Sequence, residues 1–168
     1  KVVKKVLLGN SQVVVWALFL GGVFLIIFER FYRERPEAKA EIAQISYKEA
    51  VLIGLFQSIA MIPGVSRAAA TIIGGLILGL RRKTIVEFSF LLAVPTMLAA
   101  SVLDILKSAK EISFNWGAGA FLAVGFVTSF AVALLSIKFL LKYIQRHNFI
   151  AFGIYRIVAA MCFGNFVR

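Results

Sequence analysis

Arg67, Glu87 and Arg156 are charged side chains set in otherwise apolar stretches of this chain. A charge placed in hydrocarbon costs at least about 2.5 kcal/mol, so such residues persist where they pair or do chemistry. Arg67 follows Pro63-Gly64-Val65-Ser66, which stops one helix and starts another. The first N–H groups of a helix have no intrahelical acceptor, and the dipole is positive there. Ser66 adds a hydroxyl, and Arg67 a planar fork that grips phosphate through two hydrogen bonds. Thr71, four residues on, shares the helix face of Arg67. Amides, two hydroxyls and a guanidinium converging at a buried helix start form an anion site suited to phosphate. Gly64, Gln57 and Glu87 are candidate substrate-binding neighbours. The plainer reading has Ser66 capping a helix, Gln57 bonding backbone, and Glu87 pairing with Arg67 and orienting it. For Arg156, mid-helix, an ion pair or a clamp on backbone carbonyls is expected. His147 lies in a basic surface loop and is not a catalytic candidate. The lone Cys162 excludes an intrachain disulfide and a cysteine-rich metal site; it is expected to fill space within a helix.

The elements that must position these groups follow from composition. Of 168 residues, 61% are hydrophobic and 16% charged, against roughly 45–50% and about 25% in soluble domains. A chain this small buries only about 70% of its surface in water, which excludes a soluble monomer. Uncharged stretches such as Val13–Phe28 and Ala118–Ile137 approach or exceed the ~18 residues of a membrane span. The reading is an all-α polytopic membrane protein forming a single membrane domain over 1–168. Spanning helices are expected at about 11–28, 84–106 (kinked at Pro95), 116–141 and 149–166. Ala50–Ile62 and Ser66–Leu80 are each too short to cross, at about 20 and 22 Å as helices. Between them lies Pro63-Gly64, so 50–80 is read as a re-entrant helical hairpin whose turn sits near mid-membrane. Irregular backbone at that depth survives only against protein or a water-filled cavity, which marks a polar site. Ala70/Gly74 and Gly75/Gly79 allow close packing of the second half-helix. Glu37 and Glu41, in the polar linker, form a solvated helix face.

The net charge of +11 resides in short loops, which points to membrane lipids and cytoplasmic loops rather than nucleic acid. On this topology Arg30, Arg33, Arg35, Lys39, Lys48, Arg81, Arg82, Lys83, Lys138, Lys142 and Arg146 share one face. Lys1, Lys4, Lys5, Lys107, Lys110 and Arg168 share the other, and the positive-inside rule puts the richer face in the cytoplasm. The chain begins at Lys1 without an initiator methionine, as a piece of a longer protein would.

The run Gly54-Leu-Phe-Gln-Ser-Ile-Ala-Met-Ile-Pro-Gly-Val-Ser-Arg-Ala-Ala-Ala-Thr-Ile-Ile-Gly-Gly-Leu-Ile-Leu-Gly79 resembles the signature of the bacterial undecaprenyl-diphosphate phosphatase (bacitracin-resistance) family. Glu87-Phe-Ser-Phe-Leu-Leu-Ala-Val-Pro95 and Phe152-Gly-Ile-Tyr-Arg-Ile157 look like the same family, in its order. The resemblance implies half of an inverted-topology repeat with two re-entrant hairpins. It implies a multi-pass protein of the bacterial plasma (inner) membrane. The implied activity is hydrolysis of undecaprenyl diphosphate, a polyprenyl diphosphate lipid, to the monophosphate for carrier recycling in peptidoglycan synthesis. By the same likeness Ser66, Arg67 and Thr71 are the catalytic positions that bind the diphosphate. The family's other hairpin supplies a glutamate pair and a histidine, with a divalent cation (Mg or Ca) whose ligands are not identifiable in this chain.

Two departures stand out. Ala68 replaces the family's usual serine, removing one hydroxyl. Nothing here matches the first hairpin, since Glu37/Glu41 has its spacing without an apolar hairpin or a nearby histidine. The chain is therefore expected to be the C-terminal part of such an enzyme, inactive alone and needing the missing N-terminal hairpin or a partner chain; a homodimer is another partner reading. The competing class is a transporter or flippase that binds a phosphorylated lipid at a broken helix.

Overall fold

A computed structural model describes residues 11–108, 116–144 and 147–166. The basic residues Lys1, Lys4, Lys5, Lys110, Arg146 and Arg168 lie outside these, as does most of the polar stretch after Lys107. Apolar runs without Pro-Gly breaks become long helices: α1 (Ser11–Phe31), α4 (Arg82–Ser108) and α5 (Trp116–Ile144). All three have the length and composition to cross a membrane. The last helix, α6 (Ile150–Phe166), is apolar but shorter, at 17 residues or about 26 Å. α4 runs through Pro95 as one helix. Broad apolar faces of α4 and α5 stay exposed, including Leu91, Met97, Phe121 and Phe126, as they must where lipid is the solvent. The chain is an all-α, multi-pass membrane protein.

Between α1 and α4 the chain forms two short helices, α2 (Tyr47–Ser58) and α3 (Arg67–Ile77). Ser46 starts α2 by accepting a hydrogen bond from the Glu49 N–H, while the Glu49 carboxylate accepts from the Ser46 N–H. A single 3₁₀ turn (Ile59–Met61) follows, and then the chain reverses. Pro63 presets one dihedral of that reversal and Gly64 supplies the other at φ +88°, while the Val65 N–H donates to the Ile62 carbonyl at 3.1 Å. That is a type II turn. α3 ends at Gly79, φ +87°; the Leu80 N–H reaches the Gly75 carbonyl (3.0 Å) and the Gly79 N–H that of Leu76 (3.1 Å). This is a Schellman stop, which only a residue tolerant of left-handed backbone makes cheaply.

Both ends of this segment lie together. The Lys39 N–H donates to the Gly79 carbonyl (3.0 Å) and the Arg81 N–H to that of Lys39 (2.9 Å). Thr84 Oγ1 adds a bond to the Ala40 carbonyl at 2.7 Å. The chain thus enters and leaves the hairpin at one end. Glu29, Arg82, Ile144 and Asn148 line one cavity at this base, so the last turns of α1 and α5 meet the starts of α4 and α6 there. The core sits just above it, with Ile53, Ile72, Leu76, Leu80, Ile85 and Val86 buried together. Gly74 lies against the Phe56 ring and Gly75 against Ile85. The opposite flank is closed by α1 on α6, where Gly22 and Gly153 bring the backbones together.

Several sequence expectations change here. The turn lies beside Val14 and Ala17, in the first two turns of α1. Glu37 and Glu41 are exposed but occupy a turn and a bend, not a helix face; the Ala38 N–H closes the turn on the Arg35 carbonyl, and the pairing of Lys39 with Gly79 and Arg81 fixes the residues that follow. Gly79 contacts nothing within 4 Å of a would-be Cβ, so its role is the helix stop and not packing. Cys162 is exposed on α6 rather than buried.

Candidate functional site

The turn delivers the chain to α3 at Ser66, whose Oγ accepts from the Ala69 N–H at 3.2 Å. Its carbonyl accepts from the Ala70 N–H. The N–H groups of Arg67 and Ala68 are thereby left in the first turn without a helical carbonyl. Arg67 is the first residue of α3. Its Nη1 donates to Thr96 Oγ1 of α4 at 3.3 Å. Thr96 can accept because its own proton is shared between the Leu92 and Ala93 carbonyls, each at 3.0 Å. No carboxylate pairs with Arg67 among the described residues.

A cavity of about 220 Å³ opens beside this guanidinium, lined by Gln57, Arg67, Thr71 and Ser89 with Val86, Phe90, Ala93 and Leu140. Thr71 is buried; its hydroxyl donates to the Arg67 carbonyl at 2.9 Å and stands 3.3 Å from the Gln57 amide oxygen. One hydroxyl proton cannot serve both acceptors. With the stronger bond made to the backbone, the Gln57 amide is better satisfied with its NH₂ toward Thr71. Thr71 therefore holds Gln57 and the start of α3 in place, and its donor is already committed.

Of the six candidates, Gln57, Arg67 and Thr71 come together on this cavity. Ser66 faces instead a neighbouring cavity of about 320 Å³ whose other walls include Leu18, Ile73, Phe152, Tyr155 and Arg156. The two cavities share Ala68, Ile72, Leu140 and Ile144. Gly64 shapes the turn, and its carbonyl accepts from Arg156 Nη2 at 2.8 Å; Arg156 is a carbonyl clamp. Glu87 does not join the group. It lies on another side of α4, 3.9 Å from Lys83, its own helical neighbour four residues back, so the expected Arg67–Glu87 pair is absent. Val86, Ser89, Phe90 and Ala93 are the α4 residues that turn toward α3, and Glu87 falls outside that arc.

Thr96 and Ser89 are site residues that the sequence reading passed over. Their signal was available: with Val86, Phe90 and Ala93 they follow the 3.6-residue period, a thin polar line on an apolar helix. The cavity's donor set contains no carboxylate, imidazole or thiolate. Among the described residues no group of three or more His, Cys, Asp or Glu is placed to hold a metal. These residues do not fit a divalent cation.

At the base the electrostatics differ. Lys39 Nζ contacts both Glu49 oxygens, at 2.8 and 2.7 Å. The Lys39 ammonium, helped by the Ser46 N–H and hydroxyl, pulls the Glu49 carboxyl down to about 2. Arg82 pairs with the buried Glu29 and stacks over the Phe149 ring, 5.1 Å from its centroid.

A family model described as "Bacitracin resistance protein BacA" matches residues 1–162. Relatives named undecaprenyl-diphosphatase include one from Sulfurihydrogenibium sp. (strain YO3AOP1), 47% identical over 97% of this chain and 63% of its own length. One from Persephonella marina is 50% identical over 95% and 62%, and one from Aquifex aeolicus 45% identical over 99% and 64%. The chain thus spans less than two-thirds of the length of these curated relatives.

Proposed function

The chain belongs to the bacitracin resistance protein BacA family, and from that premise we propose that it is part of an integral-membrane phosphatase that cleaves undecaprenyl diphosphate to the monophosphate and phosphate. Residues 1–168 contribute the phosphate-gripping hairpin, and the protein resides in the bacterial plasma membrane. The observation that carries this reading is Arg67, a cation at a helix start inside the fold whose described partner is a neutral hydroxyl. A guanidinium held in an apolar fold without a counter-charge is completed by an anion, and its fork geometry matches phosphate oxygens. The free Arg67 and Ala68 N–H groups add the positive end of α3.

In this reading Arg67 binds the diphosphate and offsets the negative charge that builds on the departing group as the P–O bond breaks, an electrostatic contribution made by a preorganised donor. Thr96 and the Thr71–Gln57 pair hold that donor in place before substrate arrives. The adjoining apolar cavity with Ser66 at its edge suits the hydrocarbon side of a lipid substrate. The group that delivers water or attacks phosphorus belongs to the remainder of the longer protein, as does any Mg or Ca ion; no step assigned to these residues runs through a metal.

The test is phosphate release from a polyprenyl diphosphate by the full-length protein in detergent. Arg67→Ala is expected to cut release by about 10²–10³-fold while the protein remains folded, and undiminished turnover would remove Arg67 from the site. A transporter or flippase using the same broken helix would move the lipid across vesicles without releasing phosphate.

A further inference from the structure

The hairpin turn is held from outside by a residue that takes no part in the cavity around Arg67. Arg156 reaches from α6 across α1, and its Nη2 donates to the Gly64 carbonyl at 2.8 Å and to the Ala17 carbonyl at 3.4 Å. It passes α1 at Gly21, where a Cβ would stand 2.7 Å from that same nitrogen. Among the described residues its buried Nε has no hydrogen-bond partner. Leaving such a donor unsatisfied is destabilising, in addition to the cost of placing a cation within an apolar helix. Packing α6 on α1 requires none of this, because a Leu or Met would fill the groove with no stranded donor.

What the guanidinium does is hold one peptide plane. The Gly64 carbonyl points at Arg156, so the N–H on the same trans peptide, that of Val65, points away, to the Ile62 carbonyl. Without the clamp, a rotation of this plane would break the turn two residues before the Ser66 cap and tilt the start of α3 that carries Arg67. We propose that Arg156 is a positioning residue for the phosphatase reaction, setting the Gly64–Val65 peptide and through it the aim of Arg67. This rests on the reading of Arg67 as the phosphate-binding group.

The experiment uses the full-length enzyme, with kcat and KM measured well below the Tm of every variant and Arg67→Ala run alongside. Arg156→Met is expected to lower kcat by about tenfold or more, since roughly 1 Å of misplacement can cost 10²-fold. KM moves less, and Arg156→Lys, which keeps a donor in reach of the Gly64 carbonyl, recovers part of the loss. Gly21→Ala reaches the same defect by another route: its methyl pushes the guanidinium off the turn, lowering kcat by roughly threefold when Arg156 is present. In the Arg156→Met background the same substitution is expected to change nothing further. Independent, multiplying effects of the two substitutions would overturn the proposal, as would normal kcat in Gly21→Ala or in folded Arg156→Met. If Arg156→Met does not fold, the Gly21→Ala enzyme decides the matter, with full kcat overturning it. If Arg67→Ala itself retains turnover, the premise about Arg67 fails; if it is dead and the Arg156 and Gly21 variants are normal, only the positioning role fails.

Discussion

The two ends of the hairpin treat charge in opposite ways. At the base, three cations meet carboxylates, Lys39 with Glu49, Arg82 with Glu29 and Lys83 with Glu87, while Arg81 Nε donates to the Ala38 carbonyl. At the tip and along the start of α3, the cations meet neutral oxygens, Arg67 at Thr96 and Arg156 at the Gly64 and Ala17 carbonyls. The base also carries the buried core, the Schellman stop and the backbone bonds joining Lys39 to Gly79 and Arg81. The difference is a division of labour: paired charges at the base and the Arg156 clamp at the tip hold the hairpin, and Arg67, left with a neutral hydroxyl, is available to an anion.

The contrast can be broken most forcefully at Arg67. Arg67→Ala in the full-length enzyme is expected to reduce kcat by about 10²–10³-fold, the usual cost of losing one preorganised charge-stabilising donor, with the melting temperature little changed. Steady-state phosphate release with parallel thermal unfolding checks both halves. Arg82→Ala should do the reverse. It strands the Glu29 carboxylate, one oxygen of which already lacks a partner among the described residues. Breaking such a buried pair costs about 3 kcal/mol or more, seen as a lower Tm with kcat of the folded enzyme retained. Equal damage to kcat from both variants would erase the distinction between base and tip.

Thr96→Val sharpens it. Removing the neutral anchor while keeping Arg67 should lower kcat/KM by about three- to tenfold, in line with the 0.5–1.5 kcal/mol of one hydrogen bond, without shifting Tm. The smallest effect concerns Glu49, whose carboxyl is depressed from 4.5 to about 2 by its bond to Lys39 and its Ser46 contacts. Because the folded value is the lower, this contribution to stability is present above about pH 4.5 and disappears as pH falls toward 2. Glu49→Gln should flatten the acid side of the Tm–pH curve between those values and leave phosphate release at neutral pH unchanged.

How much of this was legible beforehand depends on the kind of residue. Pro63-Gly64 announced the break, since proline supplies no N–H and glycine alone takes φ +88° without strain. The placement of Ser66, Arg67 and Thr71 at one helix start followed from chain order, and Gln57 joined them once α2 folded back on α3. A carboxylate is the natural partner for Arg67, but Glu87 lies outside the arc of α4 residues facing α3, and that rotation keeps it from the cavity. Thr96 went unread because a threonine in an apolar helix carries little signal until its neighbour across the helix pair is known. Arg156 drew notice as a buried charge, but which carbonyls it clamps was not deducible 92 residues away from Gly64.

The amino-acid sequence on its own determined the all-α membrane class, the interruption at Pro63-Gly64, and the identity of the cation at the start of α3. These depend on local backbone chemistry and on the cost of taking polar groups into hydrocarbon, both of which act within a few residues. The tertiary structure alone decided which charges are neutralised and which are not. That outcome turns on the rotation of α4 about its own axis and on the seating of α6 across α1, and helix rotation is set by packing between segments far apart in the chain.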